Sequence, residues 1–324
     1  MGIFRRRADR GGEELPGDSE PDDTFGFLTV GQAARLRALT RRTFAEHGVE
    51  SEIHADHLLA TGGWYFGLHN LFAICRYHPG GEKAWPALVR SHVKAVVRRR
   101  QEPSPADLPA AELLERAFIR VCGAGTMPTM AAFGYRRPLG GDLVELIAYD
   151  TPDTIAYLTD AEVERVGAEA LRTAGVEHLL AEPFGEVHWL EAPRGARFAV
   201  LAGESVHTAS RLLTLDDVLR RSLGEADTPN GVVVGVPNRH RLAFHRPEDG
   251  SLIRAIEGLT RFTMDSYADG AGGISPHLFW RPPRGGPLRQ LTEIEGPGQV
   301  AVRIDGEFAD VVQRLLGRPP PTPS

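Results

Sequence analysis

Lysine is nearly missing from this chain. Of 37 basic residues only Lys83 and Lys94 are lysine, and the rest are arginine. Asparagine is as scarce, at Asn70, Asn230 and Asn238. With abundant Ala, Gly and Pro, this is the usage of a GC-rich genome, so the number of arginines says little about nucleic acid. A nucleic-acid surface needs clustered positive charge, and the formal net charge is −6. Two cysteines, Cys75 and Cys122, exclude a disulfide framework. No apolar run approaches the roughly 18 residues of a membrane span. The opening MGIFRRRADR lacks the apolar core of a signal peptide. Arg6 stands where a myristoylation motif needs Ser or Thr. These absences point to a cytoplasmic protein with no membrane partner.

What is present is ordinary globular composition, 42% hydrophobic and 25% charged over 324 residues, enough for about two domains. Residues 1–24 run from a basic triplet to an acidic, Gly- and Pro-containing stretch and read as a disordered tail. Residues 25–101 form a first domain, 102–111 a Pro-containing linker, 112–317 a second domain and 318–324 a Pro-rich tail.

The first domain reads α-β-β-α-α. Thr29 with Gln32 is a capping box, and Gly48 ends the helix it opens. Short strands follow at 49–53 and 57–60. Leu68, Leu71, Phe72 and Cys75 then mark one helical stripe, and Pro86 opens a last helix that Arg98 to Arg100 close. The second domain reads as strand-strand-helix units, implying an α+β fold with a mostly antiparallel sheet and helices on one side. One helix is capped by Thr159 with Glu162 and ends at Gly175. The strongest single signal is GVVVGVPNRHRLAFHRP, Gly231 to Pro247, two strands joined by a turn at Pro237-Asn238.

Three constellations invite chemistry. His54-x2-His57, His69 and Cys75-x2-His78 have zinc-like residue types. However, Cys75 lies on an apolar stripe, and His54 and His57, three apart in extended chain, should point to opposite faces. Ser205, with Asp216 or Asp217 and then His240 or His245, follows the order of an α/β-hydrolase triad, yet His207 stands where the nucleophile elbow needs Gly. Ser205 as a helix cap explains the same position. Gly270-Ala271-Gly272-Gly273 lacks the Lys-Ser/Thr of a phosphate loop and follows a helix rather than preceding one. None of these assigns a catalytic residue, a metal or a cofactor.

The hairpin remains. Arg239 and His240 are left over once Pro237 and Asn238 account for the turn. With Arg241 and His245 they form a candidate interaction surface for an acidic partner or an anion; a solvated hairpin tip accounts for the same residues.

Four blocks carry a resemblance: DLVELIAYDTPDTIAYLTDAEVERVGAEAL from Asp142, ESVHTASRLL from Glu204, the hairpin itself, and GGISPHLFW from Gly272. Over residues 112–295 the chain resembles the bacterial YtpQ-type family, a domain without an assigned function. Residues 25–100 carry a separate pattern, FGLHNL then WPALVRSHV, that resembles the front half of other conserved actinobacterial proteins. The resemblance implies a fold and no site. The resulting expectation is a non-catalytic module that binds another protein. The alternatives are a metal-dependent or hydrolytic enzyme, and a nucleic-acid accessory protein acting through Arg98 to Arg100.

Overall fold

The computed structural model describes residues 19–61, 64–101, 103–126, 130–150, 155–192, 195–283, 285–296 and 299–317. The expected tails at 1–18 and 318–324 and residue 102 of the linker lie outside the described residues. The chain divides into two compact units, Met1–Val97 and Arg98–Ser324. No helix among the described residues is long and apolar enough to cross a membrane.

In the first unit, α1 (Val30–Glu46) begins at the Thr29 capping box: Thr29 Oγ1 accepts from Gln32 N at 3.2 Å, and Gln32 Oε1 accepts from Thr29 N at 3.1 Å. Gly48 follows the helix with φ 74°, a conformation that costs glycine little. An antiparallel sheet comes next, β1 (Ser51–Ile53), β2 (His57–Ala60) and β3 (Trp64–Gly67) in that order. The α-β-β-α-α order lacks β3, which runs without a turn signal into α2 (His69–Tyr77). Helix α3 (Trp85–Gln101) follows, and the boundary of the unit at Val97 falls within its last turn or so. Leu36, Phe44, Leu58, Leu71, Phe72, Cys75, Val89 and Val93 make the unit's core.

The second unit opens with α4 (Ala110–Glu115) and β4 (Ala117–Gly123). An antiparallel sheet in the order β4-β6-β5 contains β5 (Arg137–Gly140) and β6 (Leu143–Asp150), with β7 (Ile155–Tyr157) also paired to β6. Helices α5 (Asp160–Val166) and α6 (Ala168–Ala181) follow. The break between them is Gly167, φ 102°, and Gly175 ends nothing. Gly175 lies inside α6, where a Cβ would come within 2.8 Å of the Ile119 amide nitrogen. It is glycine because α6 rests on the backbone of β4.

A second, six-stranded antiparallel sheet follows. Its members are β8 (Glu186–Glu191), β9 (Arg197–Ala202), β10 (Val232–Asn238), β11 (Arg241–His245), β12 (Leu278–Arg281) and β13 (Arg289–Gln290), in the order β13-β12-β10-β11-β9-β8. A 3-10 turn at Thr208–Thr214 leads into α7 (Leu215–Leu223), and α8 (Leu252–Asp269) follows the hairpin. The hairpin β14 (Thr292–Gly296) and β15 (Gln299–Val302) precedes α9 (Gly306–Leu315).

The fold is α+β with antiparallel sheets, as the patterning implies, but the expected single sheet of the second domain is divided into a six-stranded, a four-stranded and a two-stranded sheet. Helices also cover both faces of the larger sheet. Val232, Val234 and Val236 pack with Leu215, Val218 and Leu219 of α7 and with Leu143 of β6. Val233 and Ala243 pack with Ile256 and Leu259 of α8 and Phe308 and Val311 of α9. Burial on both sides explains why β10 is a continuous apolar run rather than an alternating one.

Candidate functional site

The hairpin turn does not lie at Pro237-Asn238. Asn238 pairs with Arg241 across the ladder, so the two turn residues are Arg239 and His240. Pro237 and Asn238 belong to β10. The register shifts between Gly235 and Asn238, and an irregularity there accommodates a proline that has no N–H for the ladder. Asn238, 3% exposed, holds the tip from inside. Its Nδ2 donates to Ser266 O at 2.8 Å and its Oδ1 accepts from His240 N at 3.1 Å.

Nor is the tip solvated. Arg239 N donates to Gly272 O at 3.0 Å and Ile274 N to Pro237 O at 2.9 Å. On the other side Ala209 N donates to Arg239 O at 3.1 Å and Gly203 N to His240 O at 3.2 Å. The turn is thus held between two loops, and Arg239 and His240 are only partly exposed. Gly272, φ 72°, lets the Arg239 stem lie against it, since a Cβ there would meet Arg239 Cδ at 2.7 Å.

Arg239 Nε donates to His240 Nε2 at 3.0 Å. Burial, then the charges of Arg239 and Arg120, push the imidazole below its ordinary value, against backbone hydrogen bonds at Gly203 and Ser205. His240 is therefore neutral, with Nε2 as acceptor and the proton on Nδ1. It orients the guanidinium and leaves both Nη groups of Arg239 for other work. Burial, and next the charge of Arg120, also push the Arg239 guanidinium down, with Tyr157 opposing them.

Arg120 supplies the second cation. Alternation along β4 puts Phe118, Arg120 and Cys122 on one face, opposite Ala148, Leu146 and Val144 of β6. Tyr157 joins that face through its pairing with Ala148. Arg120 is 5% exposed, and its Nε and Nη1 are buried without a hydrogen-bond partner. Among the described residues neither Arg120 nor Arg239 has a carboxylate in ion-pair contact. Cys122 Sγ donates to the Tyr157 hydroxyl at 3.2 Å. Burial raises both groups above their ordinary values, with Arg120 pulling the other way, so thiol and phenol keep their protons.

The other sequence candidates disperse. Arg241 is exposed, donates through Nη1 to Ser266 Oγ at 2.9 Å and lies over the Phe262 ring. His245 is four residues further along β11, roughly 13 Å away at the usual strand rise, and its Nδ1 meets Arg197 O at 2.9 Å. Ser205 does not form a nucleophile elbow. Its hydroxyl donates to Glu182 Oε2 at 2.7 Å. His207, 2% exposed, stacks on Phe118 at 4.0 Å with its Nε2 3.1 Å from Asp150 Oδ2. Asp216 pairs with Arg281 at 2.7 Å.

His54 and His57 do not point apart: their rings stack at 4.4 Å, and His57 stacks in turn on Tyr65 at 4.4 Å. His54 lies outside β1, in the turn, so strand alternation does not govern it. His69 packs among Phe25 and Phe27, His78 Nδ1 accepts from Gly80 N, and Cys75 is core, its thiol pushed up to about 12 by burial. Among the described residues no group of three or more His, Cys, Asp or Glu is placed to hold a metal ion.

Volume and unmet chemistry do not coincide. An open cavity of about 430 Å³ is lined by Leu139, Leu212, Leu288, Asp216 and Arg281, and one of about 670 Å³ by Arg41, Glu50 and Glu52. In the first, Arg281 pairs with Asp216 and Asp217 with Arg221 of the same helix, and the charges of the second face water. The Arg120–Arg239 cluster alone among these brings like charges together without a counter-charge. Of its members the sequence reading singled out Arg239 and His240 and missed Arg120 and Tyr157. The signal for Arg120 was one charged residue inside the buried strand AFIRVCG. No protein-family model, curated protein or solved structure matches this chain.

Proposed function

We propose that the protein is a non-catalytic, cytoplasmic accessory module that binds a partner through an anionic group, with Arg120, Arg239 and His240 as the recognition element. Residues 112–295 are read as a YtpQ-like domain that carries this element. The observation behind the reading is the pair of buried or partly buried guanidiniums that have no carboxylate partner among the described residues. A buried charge without a partner is destabilising by several kcal/mol, and a bound anion offsets that penalty. The commitment of the Ser205 hydroxyl to Glu182 and of His207 to Phe118 and Asp150 supports a binding role over hydrolysis.

The test is thermal unfolding of the full chain against a series of small oxyanions at constant ionic strength. The expected result is a concentration-dependent rise in Tm that Arg239→Gln removes. A melting curve indifferent to every anion tried overturns the reading.

A further inference from the structure

Resting on that reading, we infer that the anion is a phosphate monoester, taken as its dianion between Arg120 on the floor of the site and Arg239 at its mouth. Charge comes first. The charges of Arg120 and Arg239 act on one another, and among the described residues neither has a carboxylate in ion-pair contact. His240 accepts a hydrogen bond from Arg239 Nε as a neutral ring, Cys122 and Tyr157 keep their protons, and the Asp150 carboxylate is directed to His207 at 3.1 Å rather than to either arginine. A carboxylate or a phosphodiester brings one negative charge and leaves one cation buried without compensation. A phosphate monoester brings about −1.5 to −2 at neutral pH and comes closest to balancing both.

The donors argue the same way. Arg120 offers Nε and Nη1 from the β4 sheet. Arg239 offers its two Nη groups from the hairpin of the other sheet, since Nε is taken. Tyr157, already accepting from Cys122 and in hydrogen-bond contact with Arg120, retains a hydroxyl proton to give. The strand that carries Arg120 meets the loops that seat the hairpin tip, with Val121 N donating to Ser210 Oγ at 3.2 Å and Gly123 against Ile274 O, and donors from two such walls suit a tetrahedral group with three terminal oxygens, whereas a planar carboxylate is satisfied by one guanidinium fork. Access decides between ester types. Arg120 is 5% exposed while Arg239, His240 and Tyr157 are partly exposed. A terminal phosphoryl group with one substituent leading outward fits such a mouth; a diester, with substituents on two sides, does not.

Isothermal titration of the full chain tests this at about pH 7.5, where a monoester is dianionic. Phenyl phosphate, inorganic phosphate, dimethyl phosphate and acetate are compared at fixed ionic strength. The first two are expected to bind, and dimethyl phosphate and acetate to be at least ~10-fold weaker. Arg239→Gln and Arg120→Met should each weaken phenyl phosphate by ~10- to 100-fold. Should Arg120→Met fail to fold, the partly exposed Arg239→Gln carries the test. Acetate or dimethyl phosphate binding as tightly as phenyl phosphate overturns this inference and leaves the anion-binding reading standing. Binding of none of the four overturns both. Phenyl phosphate binding unchanged by Arg239→Gln puts the ligand elsewhere and overturns the inference.

Discussion

The β4-β6 sheet buries an arginine on each of its faces, and the two are handled in opposite ways. Arg172, 8% exposed, reaches the sheet from α6 and is saturated: Nε donates to Glu145 Oε1 at 2.8 Å, Nη1 to Glu169 at 2.9 Å and Nη2 to Tyr135 O at 2.8 Å. Arg120, 5% exposed on the other face, leaves two nitrogens, Nε and Nη1, without a partner. The same residue type at similar depth is thus a structural tie in one place and an open demand in the other. Arg211 falls between: Nη2 reaches the Glu182 and Pro183 carbonyls and Phe184 covers it, while Nη1 is orphaned. The lesson is that burial of a cation identifies neither role; its count of filled donors and its charged neighbours do.

The contrast can be broken most forcefully at Glu145. Glu145→Ala should leave Arg172 buried without its main carboxylate and cost about 3–5 kcal/mol in urea unfolding. A loss under about 1 kcal/mol would make that pair no stronger than a surface bridge. The same experiment on Arg120→Met, in anion-free buffer, should move the other way, a gain of about 1–4 kcal/mol. A clear destabilisation would mean that Arg120 is satisfied within the fold. Next in size is Gly175→Ala, which pushes α6, the carrier of Arg172, off β4. The close Cβ contact with Ile119 N predicts a loss of about 1–3 kcal/mol, with Arg172 loosened and Arg120 unaffected in its anion binding.

The smallest effect is on pH. His240 is pushed below its ordinary value of 6.5 by burial and by Arg239 and Arg120. Above 6.5 the ring is neutral whether the chain is folded or not. As pH falls below 6.5 the unfolded chain takes up a proton first, so stability declines until the folded ring also protonates. His69 and His245 are pushed down by burial and contribute in the same direction. Tm should therefore fall on acidification below that value, His240→Gln should flatten part of the fall, and a bound anion should reduce it in the wild type alone.

Much of the fold was legible because it rests on local chemistry. The capping boxes at Thr29/Gln32 and Thr159/Glu162 form as their spacing implies, and the β-branched run from Val232 is a buried strand. Strands β3, β5, β7 and β15 escaped notice because three or four residues carry too little alternation, and β5 contains Pro138. Pro237-Asn238 looked like the turn because its propensities are turn propensities; the ladder uses them instead as an irregularity and an internal brace. Half of the candidate site was visible for the same reason, Arg239 and His240 being superfluous to local geometry. The other half was not. An arginine in a strand reads as solvent-facing, and only the packing of one sheet against the loops of another makes Arg120 a buried cation.

The clamped hairpin tip also bears on the order of folding. Strands β10 and β11 are joined by two residues and can pair early, as local hairpins do. The loops that seat the tip, and the strand that brings Arg120, come from distant parts of the second unit. Such long-range contacts form late, after the cost of closing large loops has been met. The two cations that repel each other are therefore brought together near the end of folding. Affinity for an anion would then mature last, making ligand capture a clock for completion of the native state.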